Sequence, residues 1–457
     1  MTIIYGLLGL SIIIFIHELG HFAVARLFGV KVESFSIGMG PVLLHKRIKD
    51  TDYRLSLIPF GGYCGMKGEK DFQKAIDEKL DYIRAEKDSF YGVHPLKRIG
   101  IAFAGPFANL VSAIIALSFV AMIGYEYYTS SNKIILATEV YPDSSRAAAQ
   151  AGLRTGDKIT AINGARIRYF SDIVETVALS AKKPLHIEVE RNGGFINYTV
   201  IPELDKATGA GKIGIVSWTD PLIAHIVSED SPASRAGLQS GDRIVQINGK
   251  NVYNTIDIYT QLKGVRNAHI RYERNGETIS AQLTVPENTE LTEKTPLIDG
   301  IQWQTEKVHS KTFSFFPAFI QGTKETFKLL GVTLQSIGLL FKGVDVKQAV
   351  SGPIGITVML GETAKEGFSV GFFAGLVTVC NFLAVISISL FLMNLLPVPI
   401  LDGGLIVFAL VELIRKKSLK PQTLYKIQFI GIAFIAVIFM FGMFTDISRI
   451  IKHLQGQ

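Results

Sequence analysis

His17, Glu18 and His21 spell H-E-x-x-H. On a helix, residues four apart share a face, so the two imidazoles can reach a single ion. Glu18 stands beside them, placed to take a proton from a metal-bound water. The segment around them is apolar: Thr2 to Ile16 carries no charge, and Phe22 to Val30 is mostly apolar around Arg26. Ionisable groups at membrane depth are costly, and function is the default reason for keeping them there. The bland alternative is a chance H-E-x-x-H, as soluble helices carry, and the apolar setting argues against it.

Two histidines leave zinc one protein ligand short, because a catalytic zinc takes three and keeps a water in the fourth position. The candidate is Asp402, directly after a run from Gly367 to Leu401 without a single charge. Pro397 and Pro399 break the helix just before it and free backbone groups that must line a polar cavity. At ~1.5 Å per residue, His17 lies roughly 24 Å along its helix, toward the same side as that break. The two halves of the site therefore coincide in depth. The competing role for Asp402 is an N-cap of a helix over Gly404–Ile414.

The elements that must carry these residues are membrane spans. Of 457 residues, 48% are hydrophobic and 19% charged, and the apolar excess is gathered in blocks. Ile99–Tyr125, Gly367–Leu401 and Ile427–Thr445 are uncharged, and each approaches or exceeds the roughly 20 residues a crossing needs. With the first segment this makes four spans. That segment has neither a basic n-region nor a small-residue cleavage site, so it reads as a span, not as a signal peptide. Arg415, Lys416, Lys417, Lys420 and Lys426 crowd the connection between the last two spans, which places it in the cytoplasm and both termini outside. The net charge of +7 is thus accounted for by topology, and nucleic acid is not an expected partner. The two cysteines, Cys64 and Cys380, have neither disulfide nor metal spacing.

The long external region contains a duplication. Ala151–Ile167 recurs as Ala236–Val252, and His186–Gly193 as His269–Gly276. Each copy reads as a strand (Ile134–Val140, Ile223–Val227), a short helix, a Gly-Asp turn, a strand, an Asn-Gly turn, a helix and two paired strands. These copies resemble tandem PDZ domains in the circularly permuted bacterial arrangement. The resemblance places the carboxylate-binding loops at Gly214-Ile215 and Gly300-Ile301. Two uses stay open: capture of a peptide or protein terminus as an added strand, or a steric gate. Beyond the second copy, Phe327, Leu330, Leu334, Ile337 and Phe341 form one apolar stripe, bounded by Lys328 and Lys342. It fits a helix at the outer interface, with an ordinary packing helix as the alternative. Between the first two spans, Val42–Ile48 and Tyr53–Ile58 alternate as strands do, punctuated by Gly38, Gly40, Gly61 and Gly62. A sheet there offers an edge to another chain.

H-E-x-x-H in the first span, with N-x-x-P-x-P-x-L-D-G from Asn394 to Gly403, resembles the paired signature of the site-2 protease family of intramembrane metalloproteases. The closing Phe444–Arg449 is similar to that family's C-terminal end. The resemblance implies one zinc per chain held by His17, His21 and Asp402, with Glu18 as general base. Asn394 would bind backbone of the cleaved segment or the developing oxyanion, and the glycine-punctuated sheet would pair with substrate. Many relatives carry a second asparagine where this chain has Ser389, whose role is left open. The implied substrates are single-pass membrane proteins of the anti-sigma-factor type, cut after their outer domains are trimmed, and leftover signal peptides. The implied place is a bacterial inner membrane in contact with lipid, with termini and PDZ domains periplasmic and the site toward the cytoplasm. Rival classes are a non-catalytic scaffold, which has no need of Glu18, and a metal transporter, which would carry acidic or histidine residues in the second and fourth spans.

The expected fold is a polytopic α-helical membrane protein of four transmembrane helices. It has a cytoplasmic membrane-associated β element and two tandem circularly permuted PDZ domains outside. The first span takes 1–30, the β region and a helix 31–98, and the second span 99–125. The PDZ copies take 131–219 and 220–308, and an amphipathic linker 309–366. The third span covers 367–401, a cytoplasmic loop carrying Asp402 covers 402–425, the fourth span 426–445 and a tail 446–457.

Overall fold

The structure, a computed structural model, describes residues 2–206, 208–226, 228–285, 300–340 and 352–454. Val227, Phe341 and Lys342, each used above, lie outside them, as do parts of the second copy (286–299), the linker (341–351) and the tail (455–457). The chain divides into a helical unit, up to Tyr125 and again from Ser310, and a β-rich unit over Glu126–His309.

The helical unit opens with α1 (Thr2–Leu27), the long strands β1 (Val32–Ile48) and β2 (Thr51–Met66), α2 (Glu69–Asp77) and α3 (Pro95–Ile123). Among the described residues, four helices are long and apolar enough to cross a membrane: α1, α3, and two near the C-terminus, Phe372–Asn394 and the first part of Pro421–Leu454. This is a membrane protein. The charge-rich stretch after Met66 is helical only over α2; from Leu80 it loops back. There Lys31 N donates to Asp88 O (2.9 Å) and Phe90 N to Lys67 O (2.8 Å).

β1 and β2 each bend, so their pairing builds four pleated segments. Phe35 to Ile37 lie between Tyr53–Leu55 on one side and Gly62–Cys64 on the other, and Val42–Ile48 pair with Thr51–Ser56 outside. Gly38 makes the turn possible. Its φ is +84°, and a Cβ there would sit 2.8 Å from the Ile58 carbonyl oxygen and 2.9 Å from that of Ser56.

In the β-rich unit, β3 (Glu126–Thr129) leads into the first copy. This copy contains β4 (Ile134–Leu136), α4 (Ala147–Gln150), β5 (Lys158–Ile162), β6 (Ala165–Arg166), α5 (Phe170–Ala178), β7 (Leu185–Arg191), β8 (Gly194–Val200), the short β9 (Glu203–Leu204) and β10 (Gly211–Lys212), and β11 (Ile215–Ser217). The second copy has β12 (Ile223–Ile226), α6 (Pro232–Arg235), β13 (Arg243–Ile247), β14 (Lys250–Asn251), α7 (Thr255–Leu262), β15 (Asn267–Arg274), β16 (Glu277–Thr284) and β17 (Ile301–Trp303). β18 (Glu306–His309) returns to pair with β3. The central sheets have matching orders, β6-β5-β7-β8 and β14-β13-β15-β16. Asn163-Gly164, Asn192-Gly193, Asn248-Gly249 and Asn275-Gly276 all have positive φ at both residues, as two-residue hairpins need. Each sheet covers its own apolar core, one with Ile159, Ile187 and Ile173, the other with Ile244, Ile270 and Ile258. A buried carboxylate repeats as well. Arg191 grips Asp157 at 2.6 and 2.7 Å, and Arg274 grips Asp242 at 2.7 Å twice.

The chain then re-enters the helical unit as α8 (Phe315–Leu340), α9 (Pro353–Val370), α10 (Phe372–Asn394), α11 (Asp402–Arg415) and α12 (Pro421–Leu454). Three boundaries differ from the sequence expectation. The linker contains two helices. α10 is shorter than the uncharged run, because Gly371, with φ +158° and extended ψ, breaks the helix at its start and the prolines stop it at Asn394. The segment after Asp402 is a helix, closed by Lys416 in the left-handed region.

The stripe is not the packed face of α8. Phe327 and Leu334 are exposed, and the face packed on α3 is made of small residues, with Ala318 and Thr326 fully buried. A Cβ on Gly322 would strike Ser118 of α3. Small residues let two helix backbones approach closely, which an apolar periodicity count does not register. Of the described residues of that stripe, only Leu330 joins the cluster around Ala113, Leu117, Ala384 and Ile388.

Candidate metal centre

α1 places His17 and His21 one turn apart, with ring centroids 4.8 Å apart and planes nearly perpendicular. Both are almost fully buried. Their Nε2 atoms are 3.2 Å apart. Asp402 completes a triangle: its Oδ2 lies 3.2 Å from His17 Nε2 and its Oδ1 3.3 Å from His21 Nε2. A tetrahedral zinc with bonds of about 2.0–2.1 Å has ligand atoms roughly 3.3 Å apart. The two ring nitrogens and the carboxylate, whose nearest approaches are 3.2–3.3 Å with a different aspartate oxygen toward each ring, therefore fit the ion in size and in donor type.

Asp402 reaches this point because of the chain just before it. After Asn394 the helix gives way to a tight turn, with Val398 N donating to Leu396 O (2.7 Å) and Leu401 N to Val398 O (2.9 Å). The two glycines that follow are packed on that turn. A Cβ on Gly403 would strike the carbonyls of Leu395 and Leu396, and one on Gly404 that of Val398. At its other end α11 is pinned by a buried ion pair between Glu412 and Arg98 at the start of α3, and Glu412 also accepts from Leu419 N (3.1 Å).

Glu18 faces the same cavity, about 530 Å³, together with Asn394, Gly61, Gly62 and Cys64. Its carboxylate accepts from the backbone N–H of Cys64. A Cβ on Gly62 would lie 3.3 Å from Glu18 Cγ and 2.8 Å from the Ser36 carbonyl oxygen. The edge segment Gly61–Met66 thus runs beside the carboxylate with no side chain between them at Gly62. Asn394 Nδ2 is 3.5 Å from His17 Nε2.

Of the four glycines singled out in the sheet, Gly61 and Gly62 line the cavity, while Gly38 and Gly40 flank Met39, whose side chain lines it in their place. Ser389 is not among the lining residues: it is half-buried and its hydroxyl donates to Val385 O (2.9 Å) of its own helix. In the β-rich unit, Gly214 (φ +77°) opens β11. It borders a groove of about 830 Å³ with Ile215 and with Ile173, Val174 and Val177 of α5. Gly300 (φ +85°) stands at the matching place before Ile301, against Ser231.

Sequence reasoning missed the contribution of α3. His21 Nδ1 lies 2.8 Å from the Ile101 carbonyl. A carbonyl only accepts, so in the neutral ring the hydrogen is on Nδ1 and the Nε2 lone pair points to the centre. The ring rests on Gly105, followed by Pro106 inside the helix. Asn109, fully buried, places Nδ2 3.2 Å from His17 Nδ1. The signal was present: a glycine, a proline and an asparagine (Gly105-Pro-Phe-Ala-Asn109) inside an otherwise uncharged span.

Residues 5–438 match the model of Peptidase family M50. The chain belongs to that family. It is similar along nearly its whole length to a "Putative zinc metalloprotease" of Treponema pallidum, 42% identical over 98% of this chain and 99% of the relative. A protein of the same description from Borreliella burgdorferi is 33% identical over 99% of both chains. The "Regulator of sigma E protease" of Haemophilus influenzae is 30% identical over 97% of this chain and 98% of the relative. This M50 chain is accordingly a membrane metalloprotease of the site-2 type that uses zinc.

Proposed function

We propose that the chain hydrolyses peptide bonds within the membrane-spanning segments of single-pass proteins, with His17, His21 and Asp402 as zinc ligands and Glu18 as general base. The observation that carries this reading is the ligand triangle opening on the same cavity as Glu18 and a sheet edge.

A peptide bond inside a helix is shielded by its own hydrogen bonds, so the substrate must unwind before attack. The Gly61–Met66 edge replaces those lost bonds by strand pairing and holds the scissile residue extended beside Glu18. Zinc, when bound, polarises the scissile carbonyl and lowers the pKa of a water toward about 7. Glu18 takes the proton of the attacking water and delivers it to the leaving amine. The Cys64 N–H fixes the carboxylate while it does so. The Asn394 amide donates to the substrate backbone or to the oxygen that gains charge.

By the distribution of lysine and arginine, the β-rich unit lies on the outer side of a bacterial inner membrane. Its two copies act as permuted PDZ domains, which the groove between β11 and α5 supports. Substrates of the anti-sigma type, cut after loss of an outer domain, fit such an arrangement, with the copies admitting trimmed chains. Purified protein incubated with a detergent-solubilised single-pass substrate tests the central reading. Cleavage is expected to stop with a zinc chelator and in Glu18→Gln, while that variant keeps its zinc. A full rate in Glu18→Gln removes Glu18 from the chemistry. Deleting 134–302 is expected to let untrimmed substrates be cut, and unchanged discrimination removes the gate.

A further inference from the structure

Asn109 lies in the middle of α3 with no exposure, and its amide has a single hydrogen-bonding neighbour, His17 Nδ1, at 3.2 Å from Nδ2. Its Oδ1 is buried with no partner among the described residues. With nitrogen toward the ring, the amide donates to Nδ1, which forces the hydrogen of a neutral imidazole onto Nε2. That hydrogen would then point at Asp402 Oδ2, 3.2 Å away, where a metal ligand needs a lone pair. The two orientations of a side-chain amide have the same shape and differ only in their hydrogen bonds. Turned over, the amide presents Oδ1 to Nδ1–H and leaves Nε2 free. This is the arrangement that the Ile101 carbonyl already gives His21, at 2.8 Å and from the same helix.

We infer that Asn109 is the positioning residue of His17: in the zinc-bound protein its Oδ1 accepts from Nδ1–H and sets both the tautomer and the plane of the ring. α3 then supplies the outer acceptor for both imidazoles, a carbonyl for one and an amide for the other, eight residues apart on its inner face. The inference rests on the reading of His17, His21 and Asp402 as the zinc ligands. Ser112, which donates to the Asn109 carbonyl at 2.8 Å and to Ser387 Oγ at 3.2 Å, ties this stretch of α3 to α10.

The test is zinc affinity of the full chain in detergent, by competition with a chelator, for Asn109→Leu, Asn109→Asp and His17→Phe. Loss of an outer partner of a metal-bound histidine lowers affinity about 10–100-fold. Asn109→Leu keeps the branched shape and removes the acceptor, so it is expected to show that loss while the chain stays folded. Asn109→Asp keeps an acceptor and is expected to stay within about threefold of the parent, given that range. Parental affinity in Asn109→Leu, or equal losses in both, overturns the inference. If His17→Phe itself leaves affinity unchanged, the ligand assignment fails instead. Should a variant not fold, nitrogen-15 spectra of histidine-labelled parent protein decide. A His17 Nδ1–H that shows the chemical-shift signature of a hydrogen bond with zinc bound, as His21 Nδ1–H does, supports the inference; an Nδ1–H without that signature, or Nδ1 ligation, overturns it.

Discussion

The imidazole of His21 occupies the space that a side chain at position 105 would need: a Cβ built on Gly105 lies 2.6 Å from its Cε1 and closer still to Nε2. Gly105 is therefore where α3 and the face of α1 that carries His17 and His21 come into contact. Alanine in mid-helix is normally favoured over glycine by roughly 0.5–1 kcal/mol, so propensity and site geometry oppose each other here. Gly105→Ala is expected to lose zinc affinity at least about tenfold without loss of helicity. Zinc content after dialysis, read beside circular dichroism, checks it.

Asp446 is buried in α12 and accepts from the backbone N–H groups of Gly352 and Gly355, both at 2.9 Å, at the start of α9. Two carboxylate oxygens meet two orphan helix donors, and the negative charge faces the positive end of the helix. Asn at this position offers one oxygen and turns an NH2 toward the second donor. Asp446→Asn is expected to destabilise the helical unit by about 1–3 kcal/mol, read as a lower unfolding temperature in detergent.

The repeated Asp–Arg pair gives a separate handle on each copy. Asp157 is 1% exposed and Asp242 is fully buried, so removing either arginine leaves a charge without its partner. Breaking a buried pair from one side costs about 3–5 kcal/mol. Arg191→Met is expected to open the first copy to proteolysis while the second stays resistant, and Arg274→Met the reverse. Simultaneous opening of both copies by either substitution would mean that they unfold as one unit.

The loop that closes over the sheet base carries a pH dependence. Lys67, hydrogen-bonded at 2.7 Å, and then Lys31 hold the Asp88 carboxyl down at about 2, below its ordinary 3.8. A carboxyl depressed in the folded chain contributes stability above its unfolded pKa, and that contribution disappears as pH falls through the folded value. The tie between Asp88 and the sheet is expected to be intact at pH 5 and to weaken between about pH 4 and 2. Amide exchange at Lys67 and Phe90, corrected for intrinsic rate, follows it. Asp88→Asn is expected to remove the pH dependence.

What the sequence determined by itself is whatever depends on spacing along one element or on charge against hydropathy. H-E-x-x-H on one helix face, uncharged runs of crossing length, and Asn-Gly pairs between alternating residues each carry their structural consequence locally. Asp402 was also readable, because a carboxylate ending an uncharged run beside two prolines has few other reasons to be there. Only the tertiary structure decided what depends on distance between elements. It showed which glycines of the sheet meet Glu18, that α8 packs by its small residues and not by its apolar stripe, and that Ser389 is not among the residues lining the cavity. It also showed that α3 stands behind both histidines. Gly105 and Asn109 act by what approaches them from α1, and a single chain read in order has no term for that approach. Backbone closeness and the completion of a buried hydrogen bond are properties of pairs, and the pairs form only when the helices pack.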